Sequence, residues 1–355
     1  MPMARSRYVS LDATPYYHCI GRCVRRAFLW GQDHFSGQDF SHRKAWVIER
    51  LAELSDVFSI SVCAYAVMSN HYHLVLHVDR ERVVAMSDSD VLQRWQRLFA
   101  LPLLLDQFLQ GQTQDAATRR VVAELIAKLR ARLYDISWYI RCLNESIARR
   151  ANAEDECTGR FWEGRFKSQA ILDEAGLLAC CAYVDLNPIR AGIAKLPEQA
   201  DYTSIQQRLR GLQGPSPRPI KPNKAKKPTP TSIHYLPQIV SSQTIADVSL
   251  HPFGGSLNVT PAQGLPCSLL DYIELVDWAA RIVRQDKKHA MENNTPAILD
   301  RLGFSAEEFH QKMQPKAMAQ GSVIAQVQRL KDYAAHVQRR CVRGVKLSVP
   351  IQSFA

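Results

Sequence analysis

The chain has 355 residues, long enough for two domains or for one with large additions. With 46% hydrophobic residues it can bury a sizeable core, which excludes global disorder. A formal net charge of +11 points to a polyanionic partner, with nucleic acid the first candidate and a basic enzyme with a solvated surface the alternative. Nine cysteines are scattered, with Cys180 and Cys181 adjacent and no Cys-x-x-Cys pair; they read as reduced, mostly buried thiols of a cytoplasmic protein. Met1 to Arg5 leads into no apolar run, so no signal peptide is expected, and no apolar stretch approaches a membrane span.

In chain order, Tyr16 to Val24 reads as a first strand with Arg22, Arg25 and Arg26 at its exit. Arg43 to Leu54 carries Trp46, Val47, Ile48, Leu51 and Leu54 near helical spacing, which predicts a helix packed on a sheet. Val57 to Val67 is a second strand region, with Ile60, Val62, Ala64 and Ala66 on one parity. Ser69-Asn70 is a short connection, and the run His71 to Val78 is apolar and β-branched or aromatic, so an antiparallel hairpin follows. Strand, helix, strand, strand predicts an α+β sandwich with helices on one face of an antiparallel sheet.

Residues from about 79 to 135 read as a helical insertion, with one amphipathic piece at Val91 to Phe99 and a stripe of Val122, Leu125, Ile126, Leu129 and Leu133. Packing is the favoured role of this stretch, over a DNA-contacting or dimerising arm. Ser137 to Ala151 is a further helix, with Arg141, Arg149 and Arg150 outward. In Gly159 to Ser168, cations alternate with aromatics. Arg160, Arg165 and Lys167 could bind phosphates while Trp162 stacks on an unpaired base; the alternative is a strand with its aromatics in the core.

Leu172 to Leu186 is helical in pattern, and Pro188 ends or kinks that helix. A short helix follows at 201–210. Residues 214–235 form a basic Pro/Lys-rich linker able to lie along a nucleic-acid backbone. Residues 236–355 form a helical extension: Leu269 to Val276 capped by Ser268, a helix start at Thr295-Pro296, a capping box at Ser305 and Glu308, and a helix over Val323 to Val342.

The chemistry centres on Asn70-His71-Tyr72-His73. Side chains alternate along a strand, so His71 and His73 share one face, well placed to grip one divalent ion. The alternative is a pair of half-buried polar residues near a sheet edge. Tyr183 and Asn187, four apart on a helix, point the same way. If that face meets the histidine strand, two imidazoles and an amide oxygen make a partly filled site for Mg²⁺ or Mn²⁺, beside a phenol able to attack phosphorus. Asp185 and Arg190 would face elsewhere on a regular helix, although Arg190 is near enough to be a DNA-contact candidate together with Arg22. The alternatives are a buried tyrosine bonded to backbone and an asparagine that caps the helix end.

His71-Tyr72-His73 resembles the His-hydrophobe-His motif of HUH single-strand endonucleases. Met68 to Leu74 and Tyr183 to Gly192 together resemble the single-tyrosine transposases, especially the REP-associated tyrosine transposases, as does Gly159 to Ser168. The match covers roughly residues 8 to 210. It implies His71 and His73 as metal ligands, Tyr183 as nucleophile and Asn187 as a third metal-binding side chain. It also implies a ferredoxin-like core, a divalent metal, Mg²⁺ or Mn²⁺, and cleavage and joining of single-stranded DNA near hairpins, while monomer and homodimer both stay open. On that reading residues 1–213 are the catalytic domain. The insertion and the region after 214 depart from the minimal pattern. Two rivals remain: a hairpin-binding regulator without catalysis, and a zinc hydrolase using His71, His73 and His77, which lacks the usual His-x-His-x-Asp-His pattern.

Overall fold

The computed structural model describes residues 9–24, 39–112, 115–212, 246–254, 264–283, 296–301, 305–315, 323–324 and 333. β1 (Tyr16–Arg22) leads to α1 (Arg43–Val57), then β2 (Ile60–Val67) and β3 (His71–Val78). β2 and β3 form the expected hairpin across Ser69-Asn70, where the Met68 N–H donates to the His71 carbonyl at 2.8 Å. β3 also pairs antiparallel with β1, so β1 and β2 run the same way with β3 between them. With α1 as crossover, this is the split βαβ unit of a ferredoxin-like sheet.

The stretch read as a helical insertion holds α2 (Arg80–Val84), α3 (Asp88–Gln96), α4 (Leu103–Leu109) and α5 (Ala116–Arg132). Ser87 and Asp115 cap α3 and α5 by accepting from backbone N–H groups. Next come α6 (Ile136–Glu154) and β4 (Lys167–Ile171), which pairs antiparallel with the free side of β1. α7 (Glu174–Asp185), α8 (Asn187–Arg190) and α9 (Ser204–Leu212) follow. The linker expected at 214–235 lies outside the described residues. Beyond it are α10 (Leu269–Val283), α11 (Ala297–Arg301), α12 (Ala306–Lys312) and β5 (Val323–Ile324). Ser268 and Ser305 cap α10 and α12 as their spacing predicts.

The α+β class stands, with three corrections of detail. First, the sheet order is β2-β3-β1-β4-β5 and β5 is parallel to β4, so the sheet is mixed. The β-branched pair Val323–Ile324 opens the stretch expected to be helical. It serves the edge of β4 instead, where the Leu172 N–H donates to the Ile324 carbonyl. Most of Val323 to Val342 lies outside the described residues.

Second, helices cover both faces. α1 and α6 share one face as expected, burying Tyr17, Cys19, Tyr72, Leu74 and Leu76 of the sheet. α7 covers the other, against Ala64, Ala66 and Val75. The residues of that face are small or apolar beside the histidines, and Ala175, Ala179 and Ala182 of α7 match them, so the helix can approach closely.

Third, a β-bulge lies between Val62 and Ala64. It switches parity: Ile60 and Val62 join the α1 side, while Ala64 and Ala66 join the α7 side.

Gly21 serves Tyr72. A Cβ at Gly21 would stand 2.4 Å from the Tyr72 ring, which crosses β1 to reach α6 and donate to Asn144 Oδ1 at 2.8 Å. This contact anchors β3 between its flanking elements, with the opposite-parity histidines turned toward α7.

Candidate functional site

Strand pairing lays out the α7 face of the sheet. Ala66, His73, Ile20 and Lys167 lie across from one another; the next row is Ala64, Val75, His18 and Gln169. Directly paired residues share a face, so His71, His73, His18 and Gln169 all point toward α7. The imidazoles of His71 and His73 lie 4.9 Å apart by ring centroid. The Tyr183 ring sits edge-on to His73 at 5.7 Å and to His18 at 6.3 Å. The sheet's histidines and the helix's phenol therefore meet within one chain.

Hydrogen bonds orient each ring. His71 Nδ1 meets Asn70 Oδ1 at 2.6 Å, an acceptor, so Nδ1 carries the proton and Nε2 the lone pair. His73 Nδ1 meets His18 Nε2 at 2.9 Å, and His18 Nδ1 meets Gln169 Oε1 at 2.9 Å. His18 had no assigned role in the sequence because its signal lies across strands: it gains meaning only once β1 is paired with β3 and β4. Burial lowers the pKa of His18 to about 4. Burial, then the charge of Arg22, lowers His71 to about 4. Burial chiefly, with the neighbouring imidazoles, takes His73 well below its usual value. All three are neutral at neutral pH, the state in which imidazole is a ligand.

Tyr183 is 7% exposed. Burial raises its pKa, and Arg190 opposes that rise. Arg190 does not face elsewhere: its guanidinium carbon lies 5.3 Å from the centre of the Tyr183 ring. Seven residues make two helical turns, and α8 continues on from α7 after Leu186, so the two side chains share a side. Arg190 Nε and Nη2 are buried without a hydrogen-bond partner. Burial lowers its pKa to about 10, leaving it a cation at neutral pH.

Pro188 cannot donate to the Val184 carbonyl one turn back. Asn187 Nδ2 takes that carbonyl at 3.4 Å together with that of Tyr183 at 3.0 Å. These bonds engage only the amide nitrogen and leave Oδ1 outside them. Asp185 does face elsewhere, into a buried network behind the site. It accepts from Ser204 Oγ, from the Ile205 N–H at 2.9 Å and from the Tyr272 hydroxyl at 2.6 Å, with Arg208 at 4.0 Å.

The outer cations lie where DNA could meet them. Arg22, paired in register with His71, is exposed and bridges to Glu163 at 3.7 Å. Lys167 is exposed on the site's face, and Arg160 and Arg165 are exposed on the segment before it. Trp162 is different. It is 8% exposed, packs on Tyr72 and Phe161, and donates from Nε1 to the Asn144 carbonyl. The base-stacking role expected of it is corrected: its ring belongs to the core, as do Phe161 and Phe166, because the apolar side of α6 claims them first.

Among the described residues no three His, Cys, Asp or Glu side chains gather as a metal cage. The candidate donors are instead the neutral imidazoles of His71 and His73 and the amide oxygen of Asn187, donor types that suit a partly filled divalent-cation site. Among the described residues no helix is long and apolar enough to cross a membrane.

Neither a protein-family model nor a curated protein matches this chain. Among solved structures it is similar to the REP-associated tyrosine transposase bound to a REP hairpin, at 12% identity and a TM-score of 0.36, over 65% of this chain and 100% of that one. At that level of superposition the reading of the site rests on its own residues.

Proposed function

We propose that this chain is a single-strand DNA nuclease and strand transferase of the tyrosine HUH type, acting near hairpins in the cytoplasm, in association with the nucleoid. The observation that carries this reading is the edge contact of Tyr183 with His73, with the Arg190 guanidinium over the same phenol ring.

In the proposed reaction Tyr183 Oη attacks the phosphorus of a phosphodiester. A phosphotyrosine bond forms to the 5′ side, the bond to the 3′ oxygen breaks, and that oxygen leaves as a hydroxyl after taking up a proton. The phenol proton is lost to solvent. The Arg190 charge favours the phenolate, and its two unpartnered nitrogens suit the phosphoryl oxygens as charge builds there. Attack by another strand's 3′ hydroxyl on the phosphotyrosine reverses the step and joins DNA without ATP. His71, His73 and the Asn187 amide oxygen would hold Mg²⁺ or Mn²⁺, which when bound would supply polarisation of the scissile phosphate. Arg22, Arg160, Arg165 and Lys167 would hold the strand's backbone.

The test incubates the protein with labelled hairpin-bearing single-stranded DNA and Mg²⁺ or Mn²⁺, then denatures it. Wild type should yield a protein–DNA adduct and Tyr183→Phe none. An adduct surviving in Tyr183→Phe would move the nucleophile elsewhere. Cleavage without an adduct would favour a hydrolase, and binding alone a hairpin-binding regulator.

A further inference from the structure

His18 and Gln169 stand behind the site and take no part in the reaction just described. His18 is fully buried, and both ring nitrogens are engaged: Nδ1 on Gln169 Oε1 and Nε2 on His73 Nδ1, each at 2.9 Å. The planes of the two imidazoles lie within 13° of each other, as suits an in-line N–H···N bond.

We propose that Gln169 and His18 form a tautomer relay that fixes which nitrogen of His73 keeps its lone pair. An amide oxygen only accepts, so His18 Nδ1 must carry the proton. A neutral imidazole has one N–H, so His18 Nε2 is an acceptor. His73 Nδ1 must then donate to it, and His73 Nε2 is left with the lone pair. His71 reaches the same state by a shorter route, through Asn70 Oδ1. Gln169 and His18 are thus positioning residues: an amide on β4 sets the ligand nitrogen on β3 through a ring on β1. The purpose of the lone pair rests on the metal-assisted reading above; the relay itself does not.

Long-range proton–nitrogen NMR of the imidazoles in the full, metal-free chain at neutral pH reads the tautomers directly. Wild type should show His18, His71 and His73 all protonated at Nδ1. A His73 protonated at Nε2 in wild type would overturn the relay, and this requires no variant to fold. In Gln169→Leu, His18 loses its acceptor and His73 should shift toward a mixture of tautomers. Gln169→Glu, which keeps an oxygen at similar reach, should restore the wild-type pattern. An unchanged His73 tautomer in Gln169→Leu would also overturn it.

Mn²⁺ affinity measured without DNA should fall roughly 10–100-fold in Gln169→Leu, the usual effect of removing a group that orients a metal-bound histidine. Unchanged affinity beside a changed tautomer would overturn the link to the metal. The two proposals fail separately: wild type with the stated tautomers but no DNA adduct sinks the transferase and keeps the relay, whereas an adduct with the wrong tautomer does the reverse.

Discussion

Arg190 is the residue on which the electrostatics of the site turn. A buried guanidinium with two unpartnered nitrogens beside a phenol is costly unless an anion completes it, and a phosphodiester is an anion of the right shape. Arg190→Ala should slow single-turnover adduct formation by roughly 100–1,000-fold, the usual cost of removing one aimed donor from developing charge. Arg190→Lys should recover only part of this, because an ammonium is a point charge without the planar fork. A second residue with a measurable signature is His251. Its ring lies 4.4 Å from that of His77, and burial, then the charges of His77 and Arg208, lower its pKa to about 3 from the usual 6.5. Between those values the unfolded chain binds a proton that the folded chain refuses, so stability is full above pH 6.5 and declines as pH falls toward 3. Denaturant midpoints across that window should fall with acid in wild type and fall less steeply in His251→Phe.

At the scale of elements, the buried joint behind α7 decides how far the site's scaffold extends. Tyr272 of α10 donates to Asp185 at the end of α7, and Leu275, Val276 and Trp278 share the same core as Leu177, Ala182 and Tyr183. A segment read from sequence as an extension therefore forms part of the wall behind the proposed nucleophile. Asp185→Ala would leave the Ser204 hydroxyl, the Ile205 N–H and the Tyr272 hydroxyl without their shared acceptor and Arg208 without its buried carboxylate, and should cost about 3–5 kcal/mol in denaturant melts. Tyr272→Phe removes one bond to a carboxylate and should cost about 1.5–3 kcal/mol. Much of this scale was legible in advance. The β2–β3 hairpin, the interruption at Leu186 just before Pro188 and the caps at Ser268 and Ser305 are local features, set by turn chemistry and missing donors. The parity switch at Val62/Ala64 was not legible, because a bulge is decided by what packs on the two faces.

For the whole molecule, the net charge of +11 gains direction from the fold. Arg22, Arg160, Arg165 and Lys167 are exposed on or beside the sheet end that carries His71, while Trp162 is internal. Affinity for single-stranded DNA should fall linearly with salt on logarithmic axes. Each of these four cations replaced by Gln should lower the slope by about 0.7 if it contacts a phosphate. Trp162→Leu should instead lower the melting temperature and leave the salt slope alone. A slope unmoved by all four replacements would place the DNA on another surface.

The amino-acid order by itself determined that His71 and His73 share a face, that Tyr183 and Asn187 share another, and that strand, helix, strand and strand come in that sequence. Those are consequences of periods of two and about four residues along one segment. Only the tertiary structure decided that the two faces meet, that His18 and Gln169 stand behind His73, that Arg190 covers Tyr183, and that Trp162 is core. These depend on strand register and on which side of the sheet each helix takes, contacts between residues as far apart as 151 positions, which no local pattern encodes.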